Sequence, residues 1–233
     1  MLTLDSITAG YGELTVLTEL SVTLEKGETV CLIGPNGAGK STVLRVVAGQ
    51  LRPTKGQVFF NGHDISGKDC FEKIKMGILF VPQGRNVFPS LSLKENLNLS
   101  QIFISEALFN ERMETVLDTF PWMKDKLGDP AGSLSGGLRQ MLALSRILLL
   151  SPQLVLLDEP SLGLSPLIVD EVFALISSLN EQGISFLLVE QNASKGLSIA
   201  HRGYVLESGR ERLTGTGQHL LKDPEVQKLY LGG

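Results

Sequence analysis

An α/β fold with a mainly parallel sheet is what this sequence predicts, and three observations predict it. Short apolar runs at residues 29–33, 78–81, 154–157 and 184–189 lack the alternation of half-exposed strands and suit strands covered on both faces. Helical patterns lie between these runs, as in the crossover connections of a parallel sheet. Residues 92–150 change to long helical patterns with few β-branched runs, so a block of helices interrupts the strand sequence.

Bulk properties narrow the class. The chain has 233 residues, enough for a sizeable core in one or two domains, with 42% hydrophobic and 20% charged residues. Net charge is −4, from 21 basic and 25 acidic residues, without the basic footprint that nucleic-acid binding leaves. No run approaches the length of a membrane-spanning helix, and Met1-Leu2-Thr3-Leu4-Asp5 does not read as a signal peptide. Cys31 and Cys70 form no metal-spaced pair; Cys31 falls inside an apolar strand as a small core residue, and a reducing cytoplasm fits both.

In chain order, residues 2–7 alternate apolar and polar, Val22 and Leu24 begin a second strand, and residues 57–60 make a third, closed by Asn61-Gly62. Together they predict an antiparallel sheet beside the parallel one. Tyr11, between Gly10 and Gly12, can stack on an adenine ring or simply pack on that sheet. The apolar run 29–33 then leads into Gly34-Pro35-Asn36-Gly37-Ala38-Gly39-Lys40-Ser41-Thr42 and a helical pattern beyond it. Strand, glycine-rich turn, Lys-Ser and helix make a phosphate-binding loop, because glycines let backbone N–H groups converge on a polyphosphate at a helix N-terminus. Lys40 would reach the β and γ phosphates and Ser41 would ligate Mg²⁺.

Residues 68–76 read as a short helix and 78–81 as a strand ending at Pro82-Gln83-Gly84. Gln83 is there a candidate by position, at the strand's C-terminal rim where ligands bind in open α/β sheets. Ser92 and Glu95 form a capping box, residues 106–120 a second helix, and Ser135 caps a third that runs through Leu150. Gly136 and Gly137 leave its first N–H groups bare, a second helix end suited to an anion. The strand at 154–157 ends in Asp158-Glu159, where Asp158 suits Mg²⁺ and Glu159 suits a general base for water. Ser165-Pro166 starts a helix whose face is Ile168, Val172, Leu175, Ile176 and Leu179. A strand at 184–189 ends at Glu190-Gln191-Asn192, a helix spans 193–200, and a hairpin turns at Ser208-Gly209. A last helix runs from about residue 223 towards 231, and His63, His201 and His219 read as surface residues.

In that order these segments resemble the nucleotide-binding subunit of an ATP-binding-cassette (ABC) transporter over essentially the whole chain. The resemblance implies a P-loop, RecA-like core with an antiparallel β subdomain (residues 1–84 and 152–233) and an inserted helical subdomain (about 85–151). It implies that Leu134-Ser135-Gly136-Gly137 is the family signature, that Tyr11 stacks on adenine, and that Gln83 senses Mg²⁺. Residues 34–42 would hold ATP in one subunit while Ser135, Gly136 and Gly137 of a second, head-to-tail ATPase subunit face its γ-phosphate. Glu159, Gln83 and Gln191 would act in hydrolysis, with Ser41, Gln83 and Asp158 at the Mg²⁺. Further implied partners are transmembrane permease subunits and, indirectly, a solute-binding protein, with the chain on the cytoplasmic face of the membrane.

Residues 81–89, 158–166 and 189–193 and the ending Tyr230-Leu231-Gly232-Gly233 are similar to the shorter ATPase subunit of importers for branched-chain and other hydrophobic amino acids, or for amides and urea. Two positions depart from the family pattern. Leu138 stands where Gln or Glu is usual, and Gln191 stands where most members carry a histidine that contacts the γ-phosphate. Competing expectations are an exporter subunit, a regulatory module that binds without hydrolysis, and a non-transport ATPase, which this compact acidic chain fits least.

Overall fold

The computed structural model describes residues 1–84 and 86–230. Arg85 and the ending Leu231-Gly232-Gly233, part of the importer likeness, lie outside the described residues.

β1 (Leu2–Tyr11) and β2 (Leu14–Leu24) form a long hairpin. After β3 (Thr29–Ile33) and α1 (Lys40–Ala48), β4 (Lys55–Phe60) and the short β5 (His63–Asp64) complete an antiparallel sheet of order β2-β1-β4-β5. The antiparallel expectation holds, with one correction: Val22 and Leu24 end the second strand rather than begin it. The hairpin register decides this, since β2 already pairs from Leu14 opposite Tyr11, and bulges break the simple alternation that would have revealed it.

α2 (Cys70–Lys75) opens with a complete Asp69–Glu72 capping box and leads to β6 (Ile78–Val81). The helical stretch follows as α3 (Leu93–Asn98), with the expected Ser92–Glu95 capping box, then α4 (Glu106–Thr119) and α5 (Gly136–Leu150). β7 (Leu154–Asp158), α6 (Pro166–Glu181), β8 (Ser185–Val189), α7 (Ala193–Ile199), β9 (Arg202–Glu207) and β10 (Arg210–Thr216) return to alternating strand and helix. α8 (Gly217–Lys222) and α9 (Pro224–Tyr230) close the described chain. α8 went unforeseen because it is a single turn or so with one buried apolar side chain, Leu220, too short to show periodicity.

The main sheet has the order β10-β9-β3-β8-β7-β6, parallel throughout except for β10. Its central strands β3, β7 and β8 are buried at every position because both faces are covered. Leu154 and Leu156 face a core shared with β1, β2 and α1, while Val155 and Leu157 face one shared with α4, α5 and α6. Burying both sets places the C-terminal ends of β3, β7 and β8 along one rim. Among the described residues no helix is long and apolar enough to cross a membrane.

Candidate functional site

The rim begins with the turn after β3. Gly34 has φ 144° and a Cβ there would lie 2.1 Å from the Leu206 carbonyl oxygen, so only glycine lets the chain leave the strand against β9. Gly39, at φ 96°, is the left-handed residue from which α1 starts. Lys40 folds back over the loop, 5% exposed, and its Nζ donates to the carbonyls of Gly34 (2.8 Å) and Pro35 (3.0 Å). Burial lowers its pKa, opposed by the nearby carboxylates Glu159 and Asp158.

Two strands away, the end of β7 supplies those carboxylates. Ser41 Oγ donates to Asp158 Oδ1 at 2.8 Å, which joins the first turn of α1 to β7. Asp158 is buried, and burial pushes its carboxyl above the usual range while the Ser41 bond pulls it back. Glu159 turns out of the sheet at φ 47°, its N–H bonded to the Val189 carbonyl at 2.8 Å. Its side chain meets Gln83, whose Nε2 donates to Glu159 Oε2 at 2.8 Å. Burial and then the neighbouring Asp158 raise the Glu159 pKa. A carboxylate that has one amide and no paired cation among the described residues can accept a proton from water.

Tyr11 ends β1 and is 42% exposed. Arg45 of α1 donates to its Oη at 2.8 Å and lies 5.9 Å from the ring centroid, which fixes the ring at the cleft edge. Tyr11, Lys40, Ser41, Gln83, Glu159 and Gln191 line one open cleft of about 680 Å³. The sequence residues from five separate stretches therefore meet. Ser135, Gly136 and Gly137 do not line it: Ser135 caps α5 by accepting from the Leu138 N–H at 3.3 Å, and Ser135 and Gly136 are exposed elsewhere on the surface.

For a cation, the donors present at the cleft are oxygens, the Ser41 hydroxyl and the Asp158 carboxylate, within bonding distance of each other. Such a hard, incomplete oxygen set fits Mg²⁺ shared with a phosphate and water, and does not fit a metal held by protein alone. Among the described residues there is no cluster of three or more His, Cys, Asp or Glu side chains that would hold one.

The profile described as "ABC transporter" matches residues 17–162, which includes the phosphate loop, the Ser135–Gly137 helix start and the β7 carboxylates. The chain belongs to the ABC transporter family. This ABC cassette is 42% identical, over all of both chains, to the high-affinity branched-chain amino acid transport ATP-binding protein of Pseudomonas aeruginosa. It is 35% identical to the lipopolysaccharide export system ATP-binding protein of Acidithiobacillus ferridurans, over 100% of this chain and 97% of that one. Among solved structures, the ADP conformation of an ATP-binding cassette of an ABC transporter superposes with a TM-score of 0.85 at 29% identity, covering 100% and 99% of the two chains. Membership makes the chain a nucleotide-binding cassette on the α/β ATPase fold.

Two residues that support the cleft residues escaped the sequence reading. Arg45 looked like a polar position on a helix and gave no signal. Glu190 had one: a carboxylate directly after the apolar run 186–189 is a buried charge that needs partners.

Proposed function

We propose that this chain is the ATP-hydrolysing subunit of an importer for branched-chain or other hydrophobic amino acids. The observation that carries the hydrolytic part is the Ser41–Asp158 bond beside a Glu159 carboxylate bonded by the Gln83 amide. Residues 34–42 cradle the polyphosphate, with Lys40 exchanging its loop carbonyls for phosphate oxygens. Ser41 and Asp158 hold Mg²⁺, which neutralises phosphate charge, and Gln83 reports its presence. Glu159 takes the proton of the attacking water, and Tyr11 stacks on adenine. Full-length similarity to a branched-chain amino acid transport subunit supports the substrate class.

The exposed Ser135-Gly136-Gly137 helix start lies outside its own cleft, and a bare helix N-terminus attracts anions, so it serves the ATP of a head-to-tail partner. An apolar groove of about 680 Å³ between α2, β6 and α5 takes a short helix of a permease subunit, which holds the cassette at the cytoplasmic face of the membrane. Phe88 is exposed on its wall and the groove is lined by Ile74, Ile78, Phe80 and Val87, which favours a docking helix with an apolar face. Gln191 cannot become cationic as histidine can, so we infer that the two sites of a heterodimer fire unequally.

The test is reconstitution with permease and solute-binding subunits of a branched-chain amino acid importer. Phosphate release stimulated by amino-acid-loaded binding protein, with uptake of labelled leucine, is expected. Stimulation without uptake, or no stimulation, refutes import. The likeness to a lipopolysaccharide export subunit favours export as the second reading, and outward movement of a lipid cargo in the same vesicles would establish it.

A further inference from the structure

Glu190 directly follows the buried β8 and is 1% exposed, yet no step above uses it. A carboxylate so buried is costly unless its oxygens are bonded. Both are bonded, to the turn that follows β7. The Ser161 N–H donates to Oε1 at 3.1 Å and the Ser161 hydroxyl donates to Oε2 at 2.9 Å. Ser161 lies two residues beyond Glu159, and Glu190 itself directly precedes Gln191. One side chain therefore ties the turn that carries the base to the turn that carries the glutamine.

The surroundings are arranged to keep that grip. Glu159 sits at φ 47°, a conformation that a non-glycine residue holds only when its neighbours fix it, and the Ser161 bonds fix the turn just beyond it. From the other side α7 presses on Glu190. A Cβ on Gly196 would lie 3.1 Å from Glu190 Cβ and 2.7 Å from Cys31 Sγ, so the helix approaches as closely as it does only because that residue is glycine.

We propose that Glu190 is a positioning residue for hydrolysis, a buried carboxylate clasp that holds Glu159 and Gln191 in one fixed relation across the cleft. The proposal rests on the assignment of Glu159 as the base and of Gln191 at the γ-phosphate. It is tested in the assembled transporter. Glu190→Ala is expected to lower kcat about 10- to 100-fold, the loss that follows when a reacting group is displaced by about 1 Å. KM for ATP should change less than about threefold, because the phosphate cradle is untouched. Glu190→Gln can accept from the Ser161 N–H and donate to its hydroxyl, so it should recover kcat to within about threefold of wild type. Ser161→Ala should slow turnover less than Glu190→Ala and add nothing to it in the double variant. In the nucleotide-free chain, amide exchange over residues 159–164 and 190–194 should rise in Glu190→Ala and not in Glu190→Gln.

An unchanged kcat in Glu190→Ala overturns the clasp. So does a Glu190→Gln variant as slow as the alanine, which would make the charge and not the tether the active feature, or a KM that rises in step with the loss of kcat. Glu159→Gln in the same assay separates the layers. If it collapses turnover while Glu190→Ala does not, the clasp alone fails; if it turns over normally, the base assignment fails.

Discussion

Replacing Glu159 with glutamine isolates one atom's chemistry. The two side chains have the same shape, and the glutamine carbonyl can still accept the bond from Gln83 Nε2, now 2.8 Å long. The strained turn at φ 47° and the Glu159 N–H bond to Val189 are backbone features that the substitution leaves alone. What disappears is the only acceptor at this position able to take a proton. Lys40 is engaged by two loop carbonyls and Asp158 by Ser41, so neither can substitute as the base. General-base contributions of about 10² to 10⁴ translate to about 3–5 kcal/mol of barrier. Removing a negative charge beside Asp158 and the polyphosphate should at the same time tighten ATP binding. Steady-state phosphate release from the assembled transporter measures the first effect. Retention of radiolabelled ATP after gel filtration measures the second. Turnover above about a third of wild type would refute the assignment, because that loss is far below any general-base contribution.

Other predictions follow from single contacts. Ser41→Ala leaves the buried Asp158 without its hydroxyl partner, so the nucleotide-free chain should lose about 1–3 kcal/mol in denaturant unfolding, and Mg²⁺-dependent ATP affinity should fall at least tenfold, as isothermal calorimetry would show. Tyr11→Ala removes the ring that Arg45 holds, and should weaken ATP by about 1–3 kcal/mol with a smaller effect on a triphosphate lacking the base. Gly34→Ala places a Cβ against the Leu206 carbonyl and should cost at least about 2 kcal/mol of stability together with nucleotide binding. Lys73 is buried with its Nζ on the Val46 carbonyl, and burial lowers its pKa to about 8. Below that pH both folded and unfolded chains are protonated and the burial cost is complete. Above it the folded chain releases the proton while the unfolded chain holds it up to the ordinary lysine value of 10.5, so stability should rise from pH 8 to 10 by about 1.4 kcal/mol per unit at most. Lys73→Met should flatten that rise in pH-dependent denaturation.

Much of this was legible from local signals. The strand at 154–157 declared itself by four apolar residues in a row, because a strand covered on both faces has no polar side to show. The capping box at Ser92, and Ser135 as N-cap, follow from side chains that bond within their own turn, which spacing alone can report. The phosphate loop was readable for the same reason, since glycines at positions such as Gly39 answer a local backbone need. The start of β2 and the whole of α8 were not readable. One depends on pairing across a bulged hairpin, the other on a single buried leucine.

Sequence by itself determined the fold class, the phosphate loop and the pair of acids at the end of β7, because periodicity and spacing are properties of neighbouring residues. Tertiary structure alone decided who meets whom. The contacts Ser41 to Asp158, Gln83 to Glu159 and Ser161 to Glu190 join residues 117, 76 and 29 positions apart. Those distances in sequence close only when the order of strands in the sheet sets β3, β8, β7 and β6 side by side. A carboxylate such as Glu190 shows its partners only there, since burial and strand order together choose which oxygens must be satisfied.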